Sequence, residues 1–262
     1  AYITSGSFVA GAIWPSIIAI GIERWGWRST MTALGLATTI VILIVALVFL
    51  TPAPEDTKAA SVPVAGGPRR THVLGLPNNT AFALLCLGGF LCCVPMAMPT
   101  GHVVALCSDL GISPQRGALM LSVLLGSALV SRAFWGLLSD RVGGLWTILG
   151  GSICQAIAMA LFVVARDEVQ LFAVSTWFGL GYSAIIPAYV VACRELFAAD
   201  EASWRVPVWF FSNLTGMALG GWLAGYLYDT YLSYGPAFLT GLAFNLANVA
   251  LIAWMAMRQR LD

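Results

Sequence analysis

The chain has 262 residues, 59% of them hydrophobic and 10% charged, with a mean hydropathy of +0.86. A soluble domain carries about 25% charged residues, so this composition excludes a soluble globular fold and describes an integral membrane protein. The formal net charge of +1 leaves no electrostatic footprint for a nucleic-acid partner.

Eight apolar stretches approach the ~20 residues that a spanning helix needs: 2–22, 29–50, 79–105, 115–138, 145–165, 169–193, 206–228 and 236–257. They are too long, and alternate too little, for barrel strands. The fold class is therefore all-α integral membrane, with the lipid bilayer as an obligate partner. The connections are short except for 51–78, which carries Pro52, Pro54, Pro63, Gly66, Gly67, Pro68 and Pro77 together with Arg69 and Arg70. That composition reads as a flexible linker, separating a two-helix unit at 1–50 from a six-helix unit at 79–262.

Basic residues set the orientation. Lys58, Arg69, Arg70, Arg141, Arg194, Arg205, Arg258 and Arg260 fall on one side of this threading, and Arg24, Arg28, Arg116 and Arg166 on the other. The richer side faces the cytoplasm, so the linker and the C-terminus are expected there, in a multi-pass protein of the inner or plasma membrane. Gly216-x-x-x-Gly220 and Gly221-x-x-x-Gly225 offer the seventh stretch two faces for close helix approach. Pro15, Pro95, Pro99 and Pro187 lie within spans, where neighbouring groups must satisfy the carbonyls they free.

The fourth and fifth stretches are joined by Gly136-Leu137-Leu138-Ser139-Asp140-Arg141-Val142-Gly143-Gly144. Gly136 permits close helix contact, Asp140 is placed to cap the next helix, Arg141 marks the cytoplasmic side and Gly143 allows the reversal. The run Gly-x-Leu-Ser-Asp-Arg-x-Gly resembles the loop signature of the major facilitator superfamily, except that Gly144 stands where the family usually has a basic residue. A weak repeat adds to the resemblance. Glu23-Arg24-Trp25-Gly26 after the first stretch is echoed by Asp229 and Tyr234-Gly235 after the seventh, as two parallel six-helix halves would require. The whole chain then resembles helices five to twelve of a twelve-helix facilitator, eight helices of an expected twelve. Ala1 is not a start methionine, and four further helices are expected ahead of it. Ser131-Arg132 and Gly11-Ala12-Ile13-Trp14-Pro15 place the likeness near the bacterial monocarboxylate and oxalate/formate branch.

Arg132 is the one charged side chain well inside a predicted span. Such a residue faces a cavity or partner, or snorkels to the headgroups. The resemblance implies the former, because an arginine at this place in the eighth helix of the carboxylate transporters contacts the substrate carboxylate. The seventh stretch lacks the lysine of the oxalate type, so a monoanion is expected rather than a dianion. His102 reads either as a proton-linked gate or as a hydrogen-bonded packing residue. Tyr182, Tyr189, Trp209 and Asn213 lie on helices that flank the cavity in facilitators, and each reads as packing or ligand contact. Arg141 and Glu195, beside Asp140 and Arg194, are placed to form a cytoplasmic ion pair that holds an inner gate.

No phosphate-binding loop, His-Glu-x-x-His or Gly-x-Ser-x-Gly is present. Cys86, Cys92, Cys93, Cys107, Cys154 and Cys193 lie at apolar positions without metal-ligand spacing. The expectation is a transporter and not an enzyme, without cofactor or metal. It acts as a monomer on a small organic anion, with a coupled proton or counter-anion. The rival readings are a facilitator that expels a neutral or cationic compound, with Arg132 structural, and an eight-helix membrane enzyme or assembly subunit.

Overall fold

The computed structural model describes residues 2–49, 72–198 and 200–260. Residues 50–71, the greater part of the expected linker, and the last two residues lie outside the described residues. Eight helices and one short hairpin follow in order. They are α1 (Tyr2–Phe49), β1 (His72–Val73), β2 (Leu76–Pro77), α2 (Asn78–Asp109), α3 (Pro114–Val142), α4 (Gly144–Val164), α5 (Glu168–Tyr182), α6 (Ile185–Leu196), α7 (Ala202–Tyr231) and α8 (Gly235–Gln259). Six stretches are long and apolar enough to cross a membrane: 6–49, 78–109, 114–142, 144–164, 168–196 and 235–259. The protein is an all-α multi-pass membrane protein; α7, with Arg205 in it, is the long helix outside that set.

α1 is not one straight rod. Gly26 has φ 75° and ψ 160°, a conformation outside any helix and open to glycine. Gly21 and Thr30, about 13.5 Å apart along a continuous helix, are neighbours: a Cβ on Gly21 would lie 2.8 Å from the Thr30 methyl. The chain therefore folds back at Gly26, between the two apolar stretches that the sequence separates there.

α2 is the axis of the remaining helices. Leu85, Cys92, Met96, Met98 and Val103 on it are buried, and it packs against α3, α7 and α8. Gly220 sets its distance to α7, since a Cβ there would stand 2.1 Å from the Val94 carbonyl oxygen. On the far side, α4 packs against α5, α6 and α8, and α3 joins α5 to α1. The part of α1 after Gly26 has an almost wholly exposed apolar surface, from Leu36 to Phe49. In a membrane protein, such a surface meets lipid or other helices.

Three features depart from the expected outline. The sixth apolar stretch, 169–193, is broken at Ser183–Ala184 into α5 and α6. Pro187 has no N–H to bond the Ser183 carbonyl, so it belongs to the first turn of a new helix and not to the interior of an old one. The end of the expected linker is folded: His72 pairs with Pro77 and Val73 with Leu76, around Leu74 and Gly75 at positive φ. Val73 and Leu74 are buried, and the Arg258 guanidinium donates to the Leu74 carbonyl at 3.2 Å. Finally, α3 runs through Asp140 to Val142, so the reversal before α4 is Gly143 alone, at φ 84°.

Candidate functional site

The predicted residues fall into four places. The first is the seam between α1, α3 and α5. Arg132 is half-buried on α3, and its guanidinium carbon stands 5.2 Å from the centre of the Phe8 ring. Phe8 meets Tyr182 edge to face at 5.8 Å, and Tyr182 stacks on Phe178 at 5.5 Å. The Tyr182 hydroxyl is within electrostatic reach of the guanidinium. Ser131 and Ser183 hydroxyls lie 2.7 Å apart at the α5–α6 break. Arg132 and Tyr182 are thus brought together, with a five-donor cation beside a phenol. Phe8 completes the group, and no motif in the sequence marks it.

The second place is the bundle interior. Tyr189 stacks on Trp209 at 5.0 Å, and its hydroxyl donates to Asn248 Oδ1 at 3.0 Å. Asn248 Nδ2 donates in turn to Ser152 Oγ at 2.9 Å. Trp209 and Asn213 sit one turn apart over Gly89, and a Cβ on Gly89 would touch both the indole nitrogen and Asn213 Oδ1. Those two atoms are buried and have no hydrogen-bond partner among the described residues. An orphaned buried polar atom costs about 1–3 kcal/mol, so this donor and acceptor form a site that a water or a ligand oxygen would relieve. Asn248 and Ser152 complete the network; nothing in their sequence spacing pointed to it.

The third place is the end of the bundle that carries Asp109. His102 Nε2 is 3.0 Å from the Gly221 carbonyl, and Nδ1 is 3.3 Å from the Tyr234 hydroxyl. Burial, with the carboxylate of Asp109, the Tyr228 phenol and the carboxylate of Asp229 adding to it, pushes the Tyr234 phenol up to about 12. A cavity of about 230 Å³ beside it is lined by Asp109, Arg166, Ser233 and Tyr234.

The fourth place is the opposite end, around Gly143. Asp140 lies in the last turn of α3 and is exposed, so it does not cap α4 as expected. Glu195 from α6 does: its Oε2 accepts the Gly144 N–H at 2.9 Å. No Arg141–Glu195 ion pair forms among the described residues. Both instead line a cavity of about 760 Å³ with Trp146 and Arg260, whose guanidinium sits 4.2 Å over the Trp146 ring. Arg194 is exposed. Gly136 is exposed too, and a Cβ there would meet nothing within 4 Å, so the close helix contact expected at it is not made among the described residues. Gly144 explains the missing basic residue. A Cβ at that position would stand 2.4 Å from the Ala192 backbone nitrogen, because α4 begins directly against α6.

Sequence reasoning missed Arg205. Assigned to a loop, it lies within α7, is 1% exposed, and donates to Glu201 Oε2 at 2.8 Å and to Asn79 Oδ1 at 3.3 Å. Phe82, Phe197 and Trp204 enclose its guanidinium. Among the described residues, no cluster of three or more His, Cys, Asp or Glu could hold a metal.

The family description "Major Facilitator Superfamily" matches residues 85–260 of this sequence. The chain belongs to the major facilitator superfamily. It is 29% identical over 240 residues to monocarboxylate transporter 13 of Bos taurus, covering 87% of this chain and 52% of that protein. The Rattus norvegicus protein of the same name is 28% identical over the same shares. The MFS-type transporter opdF of Penicillium oxalicum is 27% identical, covering 70% of this chain and 46% of its own length. The chain spans about half the length of these curated relatives.

Proposed function

We propose that this chain forms part of a secondary transporter, not an enzyme, that carries a small monocarboxylate across the cell membrane by alternating access. In this reading eight helices span the bilayer: the two arms of α1, α2, α3, α4, α5 with α6 as one broken span, α7 and α8. Residues 1–50 close one half, 51–78 link the halves on the cytoplasmic side, and 79–262 form the other half. The observation that carries the reading is the meeting of Arg132, Tyr182 and Phe8 where α1 joins α3 and α5. A guanidinium offers a carboxylate two parallel charge-assisted hydrogen bonds. The nearby phenol supplies a neutral donor, and the rings of Phe8 and Phe178 suit a short apolar tail. The likeness to proteins named monocarboxylate transporters supports the same substrate class. His102, Tyr189, Trp209 and Asn213 stand behind this site as secondary candidates. The coupled species is a proton or a counter-anion, and the working unit is a monomer.

Uptake of labelled lactate into proteoliposomes tests this. Arg132→Lys retains the charge but loses the planar fork, so transport is expected to weaken, and Arg132→Ala is expected to abolish it. Reconstituted amounts must match, because a folding defect would imitate lost binding. Undiminished lactate affinity in Arg132→Ala would overturn the assignment and leave Arg132 as a structural residue.

A further inference from the structure

His102 joins three parts of the bundle at the Asp109 end: its own helix α2, the Gly221 carbonyl of α7, and Tyr234 just before α8. We propose that His102 is a proton-binding site that latches this end of α2 to α7 and α8, loaded through the Tyr234 hydroxyl from the cavity beside it. The direction of its hydrogen bonds carries the argument. A carbonyl only accepts, so Nε2 holds the proton of the neutral ring and donates to Gly221. Nδ1 is then the free acceptor and takes the Tyr234 hydroxyl proton. A second proton at Nδ1 reverses that bond, and the imidazolium donates at both nitrogens.

The proton has a route. Tyr234 lines the cavity of about 230 Å³ that Asp109 and Arg166 also line. Tyr234 passes its hydroxyl proton to Nδ1 and takes another from the cavity, where the exposed Asp109 carboxylate collects it. One proton moves from cavity to imidazole, Tyr234 ends neutral, and no other bond changes. The groups gathered around this ring and the Tyr234 hydroxyl come from several elements at this end. Asp229, Tyr228 and the Gly221 carbonyl come from α7, Asp109 from α2, Tyr234 from the α7–α8 turn, and Arg166 from the turn before α5. Two carboxylates stand against one guanidinium. The ring also stacks at a tilt on Tyr234, centroids 5.5 Å apart, and that phenol stacks on Tyr228 at 4.5 Å.

Hydrogen bonds from a charged donor are roughly twice as strong as neutral ones. The latched arrangement therefore binds the proton more tightly than an open one, and acid favours it. For a single proton, the latched-to-open ratio changes at most about tenfold per pH unit.

The test needs no transported substrate, so its failure would leave the carboxylate reading intact. The sequence has two histidines, His72 and His102, and His72→Gln isolates the second for nitrogen NMR in nanodiscs. One titration between about pH 5 and 8 is expected, displaced in Tyr234→Phe. Amide exchange across 100–109 and 226–236, corrected for intrinsic rates, is expected to slow in acid. His102→Gln retains a donor for Gly221 and should erase that pH dependence. No titration in the range, an identical titration in Tyr234→Phe, or a pH dependence that survives His102→Gln would each overturn the proposal. Should His102→Gln fold poorly, Tyr234→Phe carries the exchange experiment alone.

Discussion

Glu195 and Gly144 show how one residue's size decides what another does. The first turn of α4 has unbonded N–H groups and a positive dipole end, which a carboxylate stabilises. Asp140 is near in sequence but remains inside α3, so the acid that arrives is Glu195, from α6. It arrives because Gly144 lets α4 start against the Ala192 backbone. Glu195→Gln keeps an acceptor oxygen and should cost little, whereas Glu195→Ala should cost about 0.5–2 kcal/mol as a lost cap. Gly144→Ala should cost about 1–3 kcal/mol by overpacking against backbone that cannot move aside. Thermal unfolding in detergent ranks the three, and a Gly144→Ala protein as stable as the parent would show that the α4–α6 contact is looser than described. At this scale the sequence was legible where chemistry is rare. A lone arginine in an apolar run marks Arg132 without any structure. Phe8 is one of 13 phenylalanines, and only the approach of α1 to α3 gives it a place beside that arginine. Arg205 escaped for a related reason: its aromatic enclosure draws on residues 82, 197 and 204, which no local pattern gathers.

At the scale of elements, α7 is the instructive helix. Its two small-residue patterns are equivalent on paper, but only one meets a neighbour closely. A Cβ on Gly216 or Gly220 would strike the carbonyl oxygens of Phe90 and Val94, at 2.6 and 2.1 Å. Among the described residues, a Cβ on Gly221 would meet nothing within 4 Å, and one on Gly225 only the His102 ring, at 3.8 Å. Gly220→Ala should therefore push α7 from α2 and destabilise by about 1–3 kcal/mol, while Gly221→Ala should stay within about 0.5 kcal/mol. Helix propensity alone favours alanine at both positions, so equal changes at the two in detergent melts would mean that the α2–α7 approach does not set the cost. Length and hydropathy made most helices readable, because lipid forbids unpaired backbone and leaves few alternatives. They could not show the α5–α6 break. An apolar run reads the same whether or not Pro187 opens a new helix, and the small hairpin at 72–77 hides in a Pro- and Gly-rich stretch that resembles linker throughout.

For the molecule as a whole, the structure sorts the turns into two ends. The hairpin, the α3–α4 turn and the end of α8 share one: Arg258 binds the Leu74 carbonyl, and Arg141, Glu195 and Arg260 line one cavity. Asp109 at the end of α2, with Arg166 and Ser233 from two other turns, shares another cavity at the opposite end. The first end also holds Arg194 and Arg205 and receives the chain from a linker with Lys58, Arg69 and Arg70, while the second holds Arg116 and Arg166. From that excess we propose that the first end faces the cytoplasm. The consequence is testable at two reporters in a background with the six native cysteines replaced. Ser61→Cys, in the linker and outside the described residues, should resist an impermeant maleimide in intact cells and react in inside-out vesicles. Ser233→Cys, exposed in the α7–α8 turn, should do the opposite. Ser61→Cys labelling in intact cells, with Ser233→Cys protected, would invert the molecule and put the His102 end inside the cell. Labelling of both from one side would break the two-ended arrangement of turns itself, since α2 to α8 would then have to cross in a different order.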